Sequence, residues 1–232
     1  MAEVRNIDTR ERILDAAERL FMAHGYEGTS MRQITGDAAV NLAAVNYHFG
    51  SKESLMQEVF RRRLGWLNEE RMRVLNEMEL AADGNPLKPS QIVDGYFGTL
   101  LRMADDEERG GVTFLRLLGR TLTDPSEFIR TFLADEYAGV MERYKAALFK
   151  ALPDVPKAEI VWRFHFMLGA TSYAIAGTYA LRVVTDWQIE PSDTVDRTDR
   201  LLPRLMSFLL GGLRAPLPQF GVAMEGAEAK VA

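Results

Sequence analysis

Cysteine is absent from the 232 residues, which removes disulfide scaffolds, thiol nucleophiles and thiolate metal sites together. Histidine is scarce. His24, His48 and His165 are scattered and have no partners at metal-ligand spacing. No glycine-rich phosphate loop and no nucleophile elbow occurs, and the plentiful carboxylates read as solvated helix faces. The expectation is a protein that is not an enzyme and carries no metal and no cofactor. Long apolar runs are missing as well. Met1-Ala2-Glu3-Val4-Arg5 lacks the hydrophobic core of a secretory leader. The most apolar window, Phe164 to Ala180, is bounded or broken by Arg163, His165 and Ser172, too polar for a membrane span. A cytoplasmic protein with no membrane partner is expected.

Charge of one sign is only slightly in excess. The net charge is −5, yet residues 1–73 hold 11 basic and 11 acidic side chains, so the whole deficit lies beyond them. An even first third permits binding to nucleic acid without arguing for it.

What is present is helical periodicity almost throughout, with no alternating strand pattern, internal repeat or low-complexity run. The first helix is expected over Asp8 to His24, with Ile13, Leu14, Ala17, Leu20 and Phe21 on one face and Gly25 ending it. Ser30 and Gln33 have capping-box spacing for a short second helix ending near Ala38. Asn41 caps a third, Leu42 to His48, and Ser51 opens a fourth that runs toward Leu80. Ala81-Ala82-Asp83-Gly84-Asn85-Pro86 is the clearest break. Beyond it, helices are expected near Ser90–Ala104, Val112–Leu122, Pro125–Leu152, Lys157–Val183 and Asp193–Leu213. The fold class is therefore all-α. Residues 1–55 form a three-helix helix-turn-helix domain, 56–84 a connector helix, 85–215 a ligand-binding and dimerisation bundle, and 216–232 a disordered tail.

The stretch Ile34 to Leu55 carries the chemistry. Two short helices around a tight turn at Ala39-Val40 make a helix-turn-helix, whose second helix enters the major groove. Ala38, Val40, Val45 and Phe49 are spaced to lock the helices together, which leaves Leu42, Ala43, Asn46 and Tyr47 facing outward.

Over Arg10 to Phe60 the chain resembles the DNA-binding domain of the TetR family of repressors. The resemblance rests on Gly25-Tyr26 after the first helix, Thr29-Ser30-Met31-Arg32-Gln33-Ile34, Tyr47-His48-Phe49 and Ser51-Lys52-Glu53, in order over about 50 residues. It implies that Lys52 and Arg32 bring charge to phosphates, and that Ser30, Asn41, Tyr47 and His48 donate hydrogen bonds to them. A bland reading stands beside two of these: Tyr47 as an exposed aromatic and His48 packed at a helix end. Arg61-Arg62-Arg63 is expected to be a solvated helix face. Two departures stand out. The family usually has glycine where this chain has Ala39, and often an aromatic where it has Asn46. An asparagine can bond adenine N6 and N7 bidentately, so Asn46 is expected to read a base.

The C-terminal two-thirds predict a sensor. Small residues on the penultimate helix (Gly169, Ala170, Ser172, Ala174, Ala176, Gly177, Ala180) and Leu201, Leu202, Leu205, Met206, Phe208 and Leu209 on the last suit a homodimer seam, with intrachain packing the alternative. The resemblance implies a four-helix bundle there, and a dimer on a palindromic double-stranded operator. Of the large apolar residues between the middle helices, Phe97, Leu101, Phe114, Leu117, Met141, Trp162, Phe166 and Tyr173 are candidate lining for an apolar effector, with Arg120 at its mouth. Arg116 and Arg120 could equally form surface ion pairs. The pairing of Asn41–Lys52 with Phe114 to Arg120, Ala147 to Pro153 and Trp162-Arg163-Phe164 is similar to the fatty-acid-responsive PsrA type of the family, which implies a long-chain fatty acid or acyl-CoA as effector. The alternative is a sensor of drugs or aromatic compounds controlling efflux, for which Asp94, Asp135 and Glu136 are available acids. A helical adaptor that binds only protein would leave the Asn41–Lys52 pattern unexplained.

Overall fold

The apolar stripes of the chain set its helices, and local chemistry sets their ends. The computed structural model describes the backbone of residues 2–123, 126–176 and 198–219, and their side chains except at 2–8 and 198. Helix α1 (Ala2–His24) begins earlier than its apolar face, because nothing between Ala2 and Ile7 breaks a helix. It buries Ile13, Leu14, Ala16, Ala17 and Phe21 and stops at Gly25, whose φ of 72° a side chain would resist. In α2 (Met31–Asp37) the capping box forms as the spacing predicts: the Ser30 hydroxyl accepts from the Gln33 amide, and Gln33 accepts from the Ser30 amide. Asn41 and Ser51 cap α3 (Leu42–Phe49) and α4 (Lys52–Ala81) in the same manner.

Helix α4 runs 30 residues, about 45 Å at 1.5 Å per residue. Its inner face buries Leu55, Val59, Phe60, Leu64, Leu67 and Leu75, and among them one arginine, Arg71. Asp83 (φ 47°) and Gly84 (φ 82°) reverse the chain at the predicted break.

The expected helix Ser90–Ala104 is not a single regular element. It starts as α5 (Pro89–Val93), widens into a π-helical turn over Asp94–Gly98 and resumes as α6 (Thr99–Arg102), followed by 3₁₀ turns at Met103–Asp105 and Glu107–Arg109. The two glycines of the wide turn admit close neighbours. A β-carbon on Gly95 would lie 2.9 Å from Met78 Cε, and one on Gly98 would lie 2.4 Å from Asp94 Oδ1. An inserted residue of this kind is invisible to a 3.6-residue periodicity.

The rest is α7 (Gly111–Thr123), α8 (Glu127–Ala151), α9 (Lys157–Ala176) and α10 (Thr198–Leu213). The expected continuation of α9 to Val183, the start of the last helix at Asp193, Gly177, Ala180, and the tail from residue 220 lie outside the described residues. Helices α7 and α9 pack most closely, because Gly119 lets the α9 backbone in. A β-carbon there would sit 2.6 Å from the Ala176 nitrogen. The buried Arg163 ties α9 to α10 by donating to the Leu213 carbonyl at 2.6 Å.

Two arginines of the α4 triplet, Arg62 and Arg63, depart from their sequence reading as a solvated face. Arg62 pairs with Glu11, Asp15 and Glu18, Arg63 pairs with Glu18 and donates to the Glu108 carbonyl, and Arg61 pairs with Glu58 and Glu136. Glu18 is itself buried on α1. Arg62 and Arg63 rivet α1 to the middle of α4 and are partly buried, whereas Arg61, which reaches Glu136 on α8, is exposed as the sequence reading has it. A helical pattern shows the charges but not the acidic face of α1 opposite them.

Candidate DNA-reading head and effector cavity

Helices α1 to α3 close around Ile13, Phe21, Ile34, Ala38, Val45 and Phe49. Between α2 and α3 the chain turns at Ala39, whose φ is 51°. The Val40 amide donates to the Thr35 carbonyl and the Ala39 amide to the Gly36 carbonyl, closing the end of α2. From α1, Arg12 reaches the Ala38 and Ala39 carbonyls and clamps the turn. Alanine in this conformation carries a steric cost that glycine lacks. Ala39→Gly is therefore expected to stabilise the fold by about 0.5–1 kcal/mol after the entropy of the unfolded glycine is counted. Thermal unfolding of both proteins checks this.

Packing Val45 and Phe49 inward leaves Leu42, Ala43, Asn46 and Tyr47 exposed on the outer face of α3, with Tyr47 79% exposed. The His48 ring is half-buried and meets the Tyr47 ring edge-on at 5.1 Å. Asn41 accepts the Ala44 amide through Oδ1 at 2.8 Å, which leaves its amide group to donate. The Ser30 hydroxyl is occupied by Gln33, accepting at 3.3 Å and donating at 2.7 Å. Arg10, Arg12 and Arg19 are all engaged within the protein, whereas Arg32 is exposed and has no partner among the described residues. Lys52 lies over the Tyr26 ring at 4.1 Å. The Tyr26 hydroxyl donates to Glu53 at 2.9 Å, and its ring meets Phe128 of α8 at 5.3 Å. Burial and the Glu53 carboxylate push the Tyr26 hydroxyl far up, so it stays a donor at every ordinary pH.

In the C-terminal half a cavity of about 500 Å³ opens between α4, the wide turn, α7, α8 and α9. Tyr96, Phe97 and Leu100 form one wall and Tyr137 and Met141 another. Leu122, Leu168, Tyr173 and Ile175 complete the apolar surface. Three expected lining residues, Phe97, Met141 and Tyr173, meet here. Leu101 is buried one position away. Phe114 packs on Phe60 in the core, and Leu117 and Arg120 border a separate recess with His24, Tyr26 and Phe128. Trp162 and Phe166 are 58% and 64% exposed on the outer face of α9. The acids Asp94, Asp135 and Glu136 do not line the cavity; Asp94 pairs with Arg102 and Glu136 with Arg61.

Sequence reasoning overlooked the most polar element of the cavity, Arg71. Its side chain is 1% exposed, and no carboxylate lies within ion-pair distance among the described residues. Nε donates to the Tyr96 carbonyl at 3.0 Å and an η-nitrogen to Asn68 Oδ1 at 3.3 Å. The guanidinium lies 3.8 Å from the centre of the Tyr96 ring and 5.7 Å from that of Tyr137. Burial pushes the Tyr96 hydroxyl up to about 12 against the pull of this charge. A signal existed: with Leu64, Leu67 and Leu75, Arg71 falls at core spacing on α4.

Residues 13–59 match a family model described as bacterial regulatory proteins, tetR family, and residues 94–212 match one described as tetracyclin repressor-like, C-terminal domain. The chain belongs to the TetR family. Among curated TetR-type relatives, the regulator LmrA of Bacillus subtilis is 36% identical over 77 residues, 33% of this chain and 39% of its own length. The probable regulator YttP of the same organism is 38% identical over 53 residues, 23% of this chain and 26% of its own length. The chain thus matches less than half the length of these relatives. Solved structures match nearly throughout. The fatty acid degradation regulator FadR of Bacillus halodurans aligns with a TM-score of 0.61 at 17% identity, covering 90% of this chain and 97% of its own. FadR of Bacillus subtilis, solved in complex with stearoyl-CoA, aligns at 0.59 and 14% identity over 87% and 98%. At such identities the likeness establishes the fold.

Proposed function

We propose that the chain is a ligand-responsive transcriptional repressor that holds a palindromic operator as a homodimer and lets go when a small apolar effector fills the cavity. One observation carries the reading: only two residues separate α3 from α4, which further along forms a wall of the cavity through Arg71. Occupancy of the cavity is thereby coupled to the position of the reading surface. An effector that favours the arrangement with misplaced α3 helices lowers operator affinity by population shift, with a coupling of about 1–3 kcal/mol. The dimer is supported by one face of α9, where Trp162, Phe166, Gly169 and Tyr173 lie exposed at spacings of four, three and four, the pattern of a helix seam, with Gly169 and Tyr173 also bordering the cavity. Phe208 of α10 is also exposed. Lys52, Arg32, Asn41, Tyr47 and His48 would touch phosphates, with Ser30 nearby, while Leu42, Ala43 and Asn46 face the bases.

Recovery and sequencing of genomic fragments bound by the purified protein tests this reading. Enrichment of one palindromic site with half-sites about 34 Å apart is expected, and absence of enrichment by folded protein at moderate salt would overturn it. Within that site, Asn46→Ala is expected to flatten preference at one base pair per half-site, a loss of about 1–3 kcal/mol in discrimination. An unchanged preference in a binding-site selection removes Asn46 from base reading.

A further inference from the structure

We propose that the cavity takes a ligand with a free carboxylate head and an apolar body, the carboxylate seated on the Arg71 guanidinium. The proposal rests on the effector reading above and specifies the chemistry of the effector. Two independent observations lead to it. The first is Arg71 itself. A fully buried guanidinium is ordinarily answered by a carboxylate, because an uncompensated charge in a dry interior is costly. Here the answering groups among the described residues are the Tyr96 carbonyl, Asn68 Oδ1 and the faces of the Tyr96 and Tyr137 rings. All are neutral, and they leave guanidinium N–H donors over. The neighbouring acids are committed elsewhere: Glu70 to Arg73, Asp94 to Arg102 and Glu136 to Arg61. The second observation is Thr171 on α9, 2% exposed, whose hydroxyl has no hydrogen-bond partner among the described residues. A buried hydroxyl without a partner is a rare and costly feature. Both groups line the same cavity.

The occupant that satisfies both has one negative charge for Arg71, an oxygen within reach of Thr171 and a body that the tyrosine, phenylalanine and leucine walls desolvate. A planar carboxylate matches the guanidinium fork bidentately. A thioester of the same acid has lost that charge, and an alkylammonium would meet Arg71 as a like charge. The body can be aliphatic or aromatic, since the walls suit either.

The test uses the full-length protein with dodecanoate, dodecanol, dodecylammonium and lauroyl-CoA, all below their micelle concentrations, and naphthaleneacetate as the aromatic acid. Calorimetry reads binding, and anisotropy of labelled operator reads release. Dodecanoate or naphthaleneacetate is expected to bind at least about tenfold more tightly than dodecanol, a difference of about 1.4 kcal/mol, and dodecylammonium not at all. Whichever acid binds more tightly identifies the body. In Arg71→Met, with circular dichroism showing the native helix content, the preference for acid over alcohol is expected to vanish while dodecanol still binds. If that variant does not fold, the head-group series on the unmodified protein decides alone, and Thr171→Val should weaken the acid several-fold. Equal binding of acid and alcohol, or tighter binding of lauroyl-CoA, overturns the carboxylate assignment and leaves the effector reading standing. Failure of every compound to bind and to release operator overturns both.

Discussion

If the chain is the proposed dimer, Phe166→Glu is expected to yield a monomer in solution and to weaken binding to the proposed palindromic operator by about a thousandfold. The stripe of Trp162, Phe166, Gly169 and Tyr173 occupies one face of α9, and Trp162 and Phe166 are more than half exposed. An apolar patch of this kind on a lone protomer calls for cover. In a twofold dimer the stripe meets its own copy, so one carboxylate per chain places two charges at the centre of a desolvated seam. A single head would then rely on one α3, and the margin of specific over non-specific binding, typically at least about 10³-fold, would go with the lost half-site. Sedimentation velocity and operator anisotropy on the same sample check both parts. Because Phe166 is 64% exposed, helix content should hold; a variant that stays dimeric and retains its affinity removes α9 from the interface.

Glu18→Ala is expected to cost about 2–3 kcal/mol and to lower the melting temperature by about 5–10 °C. Glu18 receives hydrogen bonds from Arg62 at 3.0 Å and Arg63 at 2.6 Å and is nearly inaccessible to water. Removing it leaves two partly buried guanidinium groups to be rehydrated at the junction of α1 and α4. The figure lies below that for a fully buried pair because both arginines keep some contact with solvent. Glu11→Ala, which strips the same Arg62 of an exposed partner, is the internal control and should cost no more than about 0.5 kcal/mol. Equal losses in the two variants would mean that the network contributes through net charge alone.

Local signals account for what could be read from the sequence. Ser30, Asn41 and Ser51 act on the next turn of chain, so the starts of α2, α3 and α4 lie within a residue of their expected places. The outward set Leu42, Ala43, Asn46 and Tyr47 follows from where Val45 and Phe49 must point. Long-range pairing was not readable in this way. Trp162 and Phe166 have the composition of cavity lining, but whether a face of α9 meets its own bundle or remains open depends on the position of α10. Arg62 and Arg63 look like surface charge until Glu18 is found opposite them. The wide turn at Asp94–Gly98 brings both Tyr96 and Phe97 inward by adding one residue to a turn, which no periodic pattern contains.

The riveted middle of α4 has a mechanical corollary. Arg62 and Arg63 hold the helix to α1 ten residues from Lys52 and eight residues from Arg71, distances of about 15 and 12 Å along the axis. A rod pivoted there is a seesaw with nearly equal arms. A sideways push of half an ångström at the guanidinium would emerge at the Lys52 end at about the same size and in the opposite direction. In a pair of protomers related by a twofold axis the two excursions add, so the span between reading surfaces changes by twice the input.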